Sequence, residues 1–179
     1  MEHDKYLIEG KIPDMGSHPL LSWDPEPLYS EILPNLFQGG TARHDTIFNK
    51  QERDARREDL PFDSVISMYY ASSPAGWGVP EMRYSIKDGF ISEIDLDELR
   101  EVVSWGHNQV KKGKRVLVRC QAGLNRSGLV TALILIKLGH EPGDAIDLIR
   151  KNRGSIALYN SDYVLWLLKE GKSFTSSIA

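Results

Sequence analysis

The stretch between residues 115 and 138 constrains the fold of this chain more than any other. Residues 115–118 are a short apolar run that predicts a buried strand, and residues 127–138 predict a helix that is apolar on almost every face. Little more than the segment Cys-Gln-Ala-Gly-Leu-Asn-Arg, residues 120–126, lies between them. A buried strand followed at once by a buried helix is one βα unit of an α/β protein, so both elements should be central.

Other segments continue this alternation of strands and helices. Strand patterns occur in three further places, residues 31–40, 63–70 and 82–86. Helix patterns also occur in three further places, residues 92–112, 142–152 and 160–171. A run of mixed charge at 49–59 is typical of a solvated helix face. The sequence therefore predicts an α/β fold, with a mostly parallel, twisted central sheet of about four or five strands flanked by helices on both faces.

The bulk composition narrows the class of partner. The chain has 179 residues, enough for one domain with a real core, and residues 1–30 are rich in proline and should form an irregular arm. The net charge of −3 gives no basic field for nucleic acid, so any polyanion would need a local site. The first residues lack the apolar stretch of a secretory signal, and the longest apolar run is about half a membrane span. We therefore expect a cytoplasmic protein without membrane association.

Cys120 is the only cysteine, which excludes an internal disulfide and a multi-cysteine metal centre. The five histidines are scattered without the spacing of metal ligands, so neither a metal nor a cofactor is expected. A lone cysteine fits a reducing compartment. It can be a buried structural residue, the commonest fate of a free cysteine, or a nucleophile.

The neighbours of this cysteine favour the nucleophile. A loop as short as 120–126 must curl between the strand and the helix, and its N–H groups and the helix N-terminus then converge on one point of oxyanion size. Gly123 permits a backbone conformation that a side chain would hinder. Arg126 can grip two phosphate oxygens in a bidentate manner. The same positive field favours a cysteine thiolate, so one loop would both hold a phosphoryl group and ionise the atom that attacks it.

The run CQAGLNRS matches the Cys-x5-Arg-Ser signature of the cysteine-dependent protein tyrosine phosphatase superfamily. Chain length and the position of the motif resemble the dual-specificity phosphatase branch, and further similarity extends over residues 31–170, for example at Val65-Ile-Ser-Met. The resemblance implies a phosphatase-type catalytic domain at 31–172, between the N-terminal arm and a tail at 173–179. It also implies hydrolysis of phosphomonoesters through a phosphocysteine intermediate, without a cofactor or metal.

The resemblance further implies a role for each residue of the motif. Cys120 is the expected nucleophile and Arg126 the phosphate clamp, while Ser127 should hydrogen-bond the sulfur and ease its departure. The residues expected to bind the substrate phosphate are Gln121, Ala122, Gly123, Leu124, Asn125 and Arg126.

The leaving group also needs a general acid. In the family this acid is an Asp on a loop roughly thirty residues before the cysteine, which predicts Asp88 in the run Ile-Lys-Asp-Gly-Phe. Asp95 and Asp97 are rivals, but their place in the first turn of a predicted helix explains both.

Two positions depart from the usual pattern of the family. Arg119 stands where the family usually has His, and its side chain either adds local charge or points away along the strand. Asn125 gives the run Gly-Leu-Asn-Arg-Ser-Gly, which resembles the Gly-x-Asn-Arg-Thr-Gly of the RNA 5′-triphosphatase branch. Asn125 could equally brace the loop.

The expected substrate is phosphotyrosine on a protein or peptide, with phosphoserine and phosphothreonine as further substrates. Phosphate, sulfate and vanadate-type anions should bind in the loop 120–126. An RNA 5′-triphosphate is the first alternative, although the negative net charge counts against it. Phosphoinositides and other small phosphate esters are a second alternative, and a phosphate-binding module without turnover is a third.

Overall fold

The computed structural model describes residues 3–8, 27–41, 61–76 and 78–178. The strands in this part of the chain are β1 (Tyr29–Leu33), β2 (Leu36–Gly39), β3 (Ser64–Ser67), β4 (Glu81–Arg83) and β5 (Val116–Arg119). The α-helices are α1 (Leu96–Lys111), α2 (Arg126–Lys137), α3 (Pro142–Arg153) and α4 (Ser161–Ser176). Short 3-10 turns occur at Asp4–Tyr6 and Ile91–Glu93. The helix predicted from the mixed-charge run 49–59 lies outside the described residues.

The five strands form one mixed sheet in the order β1-β2-β5-β3-β4. Strand β5 lies at its centre and is paired in parallel with both β2 and β3, so that Val116 faces Leu36 on one side and Ser64 on the other. β4 is parallel to β3, and only β1 is antiparallel to its neighbour. The predicted α/β fold, with a mostly parallel sheet and β5 in the middle, is confirmed.

The edge of the sheet differs from the prediction. Residues 31–40, predicted as a single strand, instead belong to an antiparallel hairpin of β1 and β2, with Leu33 opposite Leu36. Asn35 lies in the turn with a φ of 70°, a conformation that Asn tolerates better than most residues. The proline before it therefore sits in a turn, where its missing N–H costs no strand hydrogen bond.

Helix α2 is the centre of the main core. All its residues except the last are buried, and it packs against the other three α-helices. Val116 and Val118 of β5 join this core, whereas Leu117 points to the other face of the sheet. The cluster on that other face is smaller, and its buried members are Phe62, Val65, Ala75, Val79 and Leu117.

Two helix ends lie away from their predicted positions. α1 begins after Asp95, whose carboxylate accepts the first-turn N–H groups at 2.9 and 3.2 Å, rather than at Ser92, which belongs to a 3-10 turn. α4 does not end near Gly171 but continues to Ser176. A Cβ at Gly171 would lie 3.0 Å from Cδ1 of Ile136, so this glycine allows α4 and α2 to pack closely. The domain limits of 31–172 stay a prediction.

Among the described residues, no helix combines the length and the apolar character needed to cross a bilayer.

Candidate active site

The loop of residues 120–126 connects the carboxyl end of β5 to the first turn of α2. The Cys120 side chain is buried, and its backbone N–H donates to the carbonyl of Gly39 at 3.2 Å. Gly123 has a φ of 72°, and a Cβ there would lie 2.3 Å from the carbonyl carbon of Gly39. A Cβ at Gly40 would lie 2.9 Å from a carbonyl oxygen of the loop. The loop therefore packs backbone against backbone on the end of β2, which glycine alone permits at these positions.

The carbonyl groups of this loop point outward. Gln121 accepts a hydrogen bond from the N–H of Thr41 at 2.9 Å, and Leu124 accepts one from the N–H of Leu158 at 3.2 Å. Because C=O and N–H point in opposite directions across a trans peptide, the N–H groups of residues 122–125 face the inside of the loop. None of these N–H groups donates to another described residue. They form a concave row of donors suited to an anion.

Two buried side chains hold the loop from behind. Gln38 Nε2 and Arg153 Nε both donate to the carbonyl oxygen of Gly123, at 3.0 and 3.1 Å. Arg153 also reaches the carbonyl of Pro27 at 2.6 Å. Burial lowers the pKa of the Arg153 guanidinium, and the nearby Cys120 sulfur acts against this by favouring the cation. The sequence predicted a role in the site for neither side chain, and it marks Arg153 only by its place directly after the predicted helix 142–152.

Ser127 lies next to the sulfur. Its Oγ is 3.3 Å from Sγ of Cys120, and its side chain is fully buried. The N-cap of α2 is Asn125 rather than Ser127, and the Asn125 side chain makes no capping bond. The Asn125 side chain thus leaves the first N–H groups of the helix available to a ligand, and the serine hydroxyl can donate to a thiolate.

Arg126 is largely buried but only loosely bonded. Its Nη atoms reach the carbonyl of Ile86 at 3.5 Å and Oε1 of Gln121 at 3.4 Å, and its buried Nε has no hydrogen-bond partner among the described residues. Cζ lies 5.2 Å from the ring centroid of Tyr69. A buried guanidinium with long or missing hydrogen bonds retains its capacity to bind an oxyanion.

Asp88 lies beside the loop, in the connection between β4 and α1. One carboxylate oxygen accepts from Asn125 Nδ2 at 3.1 Å and the other from Asn160 Nδ2 at 3.3 Å. The two rival carboxylates lie elsewhere, because Asp95 caps α1 and Asp97 pairs with an arginine of the same helix. Of the three candidate acids, Asp88 is thus the one hydrogen-bonded to a residue of the loop 120–126, which we call the anion loop.

The side chain of Arg119 is fully buried and points away from the loop. Its Nε donates to Oγ of Ser67 at 2.8 Å, its Nη2 lies 3.2 Å from Oε1 of Glu81, and the same Nη2 bonds the carbonyl of Ser73. Burial raises the pKa of Glu81, but hydrogen bonds from Ser67 and a backbone N–H, together with nearby arginines, outweigh it and leave the pKa below its usual value. Arg119 is therefore paired with a carboxylate in a network on the side of the sheet away from the sulfur.

The family model for the dual specificity phosphatase catalytic domain matches residues 49–172. A viral relative, named as tyrosine phosphatase 123R of Invertebrate iridescent virus 6, is 26% identical over 136 residues, which are 75% of this chain and 86% of the relative. The crystal structure of human DUSP28 covers 84% of this chain and 97% of its own, with 19% identity and a TM-score of 0.64. That of PTPMT1 in complex with PI(5)P covers 85% and 99%, with 23% identity and a TM-score of 0.65. At these identities the two solved structures show a shared fold.

Proposed function

Because this chain belongs to the dual specificity phosphatase family and is therefore a phosphatase, we propose that its substrate is phosphotyrosine on proteins, with phosphoserine and phosphothreonine as further substrates. The observation that carries the proposal is the loop 120–126, whose N–H groups turn inward above a buried cysteine. Arg126 and the first turn of α2 add further positive charge around the position proposed for the phosphoryl group. An arrangement of this kind suits a phosphoryl group better than a carboxylate, because its donors surround several oxygens at once.

In the first step the thiolate of Cys120 attacks phosphorus, and the bond from phosphorus to the ester oxygen breaks. Arg126 and the inward N–H groups stabilise the charge on the equatorial oxygens. The protonated carboxyl of Asp88 gives its proton to the leaving phenoxide or alkoxide. The products of this step are the free alcohol and a phosphocysteine, which is the intermediate general to the family.

In the second step a water molecule attacks the phosphocysteine. The carboxylate of Asp88 takes a proton from this water, the bond from sulfur to phosphorus breaks, and orthophosphate leaves. The hydroxyl of Ser127 donates a hydrogen bond to the departing sulfur of Cys120, which their separation of 3.3 Å allows. The enzyme is then returned to its starting protonation state.

An aromatic pair beside the loop favours an aryl ester. The ring of Tyr69 lies 5.2 Å from Cζ of Arg126, and Tyr70 contacts Tyr69 edge to face at 5.0 Å while remaining 77% exposed. Such rings can contact a substrate tyrosine whose phosphate is held by the arginine. This contact supports phosphotyrosine over a small alkyl phosphate.

The RNA 5′-triphosphate alternative was based on the presence of Asn125, but the contacts of this residue suggest a different role. Its side chain bonds Asp88 and the backbone N–H of Asn160, which is the role of a brace. The third reading, a binding module without turnover, would be supported by loss of the nucleophile, the clamp or the acid. Cys120, Arg126 and Asp88 are all present.

The test is orthophosphate release from one peptide phosphorylated on Tyr, Ser or Thr, from a 5′-triphosphate RNA, and from PI(5)P, with which PTPMT1 has been crystallised. We expect turnover of the phosphotyrosine peptide and its loss in Cys120→Ser. Preferential turnover of RNA or PI(5)P would overturn the protein substrate but keep the phosphatase. Binding of orthovanadate with no turnover of any of these substrates would support the binding module instead.

A further inference from the structure

The loop that carries Asp88 is held along its length by the first turn of α4. Tyr163 Oη donates to the carbonyl of Lys87 at 2.9 Å. The carboxylate of Asp162 accepts from the backbone N–H of Ile91 at 2.6 Å. These bonds reach backbone groups on both sides of Asp88, so the position of this loop depends on α4.

Asn160, the N-cap of α4, divides its side-chain amide between two tasks. The oxygen caps the helix, accepting two first-turn N–H groups at 3.0 and 3.3 Å. The nitrogen donates to the carbonyl of Gly89 at 2.9 Å and to Oδ1 of Asp88 at 3.3 Å. A cap needs only the oxygen, which Ser or Asp would supply equally well. Capping therefore does not explain the two bonds of the nitrogen.

Asn125 closes the link from the other side. It is almost fully buried, its Nδ2 donates to Oδ2 of Asp88 at 3.1 Å, and its Oδ1 accepts from the backbone N–H of Asn160 at 3.0 Å. The two asparagines thus join the loop 120–126, the loop that carries Asp88 and helix α4 into one hydrogen-bonded unit. Each carboxylate oxygen of Asp88 receives one amide donor.

We infer that Asn160 is a positioning residue that holds the carboxyl of Asp88 beside the anion loop before substrate binds. The inference rests on the proposed function, because it takes Asp88 as the general acid. An acid contributes only when it is within hydrogen-bond reach of the leaving oxygen, so a carboxyl fixed in advance avoids a loop closure in each turnover. The nitrogen of Asn160 restrains Oδ1 of this carboxyl from α4, while Asn125 restrains Oδ2 from the loop 120–126.

Asn160→Ser separates the two tasks, since serine caps a helix but has no second donor. We expect kcat/KM for a phosphotyrosine peptide to fall about 10- to 100-fold, the scale of a lost hydrogen bond to a charged group and a displaced catalytic group. 4-Nitrophenyl phosphate should lose much less, because its leaving group needs little protonation. Asn108→Ser, the same change on an exposed position of α1, should alter neither value.

A double-mutant cycle with Asp88→Ala gives the second readout. If Asn160 acts through Asp88, then Asn160→Ser should cost nothing further in the Asp88→Ala background. Equal losses on both substrates, or fully additive losses in the cycle, would assign Asn160 a general structural role and overturn the inference. A wild-type protein that cleaves neither substrate would refute the proposed function itself, and the role of Asp88 with it. Urea unfolding of each variant confirms that it is folded.

Discussion

Gly123 is the residue at which the anion loop tolerates the least change. It combines a φ of 72° with direct contact between its Cα and the backbone of β2, where a Cβ would lie 2.3 Å from Gly39. Its carbonyl also receives the bonds of Gln38 and Arg153, which keep the next N–H turned inward. The orientation of the inward N–H groups of the loop 120–126 therefore depends on the peptide unit of Gly123.

Gly123→Ala should lower kcat/KM for the proposed substrate by about 100-fold or more, because the methyl group must displace the loop from β2 and misplace the inward donors. The measurement is initial-rate kinetics on the phosphotyrosine peptide. Gly113→Ala is the matched control, since Gly113 has the same φ of 72° but open space at the Cβ position. The control should lose stability and keep its activity. Full activity in Gly123→Ala would contradict the role given to this close contact.

At the scale of elements, a polar network connects three strands on the face of the sheet that points away from Cys120. Arg119 of β5 and Glu81 of β4 are bridged through Ser67 of β3, at 2.8 and 2.6 Å, so one cluster connects three neighbouring strands. The backbone N–H of Ala75 also donates to Glu81 at 3.1 Å. The connection between β3 and β4, which includes Tyr69, is therefore tied to the sheet by hydrogen bonds from its backbone to Glu81 and Arg119.

This network predicts a pH dependence of stability. The pKa of Glu81 is lowered from an ordinary value of 4.5, so its contribution is present above about pH 4.5 and is lost as the pH falls through the lower folded-state pKa. Glu81→Gln should cost about 3 kcal/mol at pH 7, because it removes the carboxylate that lies 3.2 Å from the buried guanidinium of Arg119. The difference from wild type should shrink at pH 3.5, as measured by urea unfolding. Glu101→Gln, an exposed change on α1, should show neither effect.

Helix α2 makes a second prediction about stability. Leu133 is fully buried where α2 meets its neighbours, so Leu133→Ala should lower the free energy of unfolding by about 2–5 kcal/mol. Leu165→Ala, the same change on a side chain that is 42% exposed in α4, should cost less than about 1 kcal/mol. Urea unfolding at pH 7 compares the two. Equal losses would show that α2 is not the centre of the core.

At the scale of the whole molecule, the anion site draws on distant parts of the chain. The loop 120–126 is fixed by β2, by Arg153 at the end of α3, and by the segment that precedes α4. An anion that binds there should therefore stabilise the whole fold, because unfolding destroys every part of the site together.

Orthophosphate at about 100 times its dissociation constant should raise the free energy of unfolding by about 2.7 kcal/mol. The measurement is thermal unfolding in phosphate against chloride at matched ionic strength, which removes the effect of screening. Arg126→Met should lose the shift, since it removes the only guanidinium with a buried, unpaired Nε among the described residues. An equal shift in this variant would place the anion elsewhere.

The sequence by itself determined the parts of this protein that depend on neighbours along the chain. A short loop between a buried strand and an apolar helix places Cys120, Gly123 and Arg126 within one turn, so the predicted anion site follows from covalent connectivity. The apolar character of α2 likewise fixed its place in the core. The hairpin of β1 and β2 was not predicted, because in so short a stretch the sequence pattern of a single strand resembles that of two strands joined by a tight turn.

Only the tertiary structure decided the partners that lie far apart in sequence. Asn160 reaches Asp88 across 72 positions and Arg153 reaches Gly123 across 30, and no spacing rule connects such pairs. The sequence left two orientations possible for the Arg119 side chain, and the strand order decided between them by placing Glu81 within its reach. These contacts arise because packing α4, α3 and β4 around one sheet brings separate segments together, and the energy of that packing is a property of the whole fold.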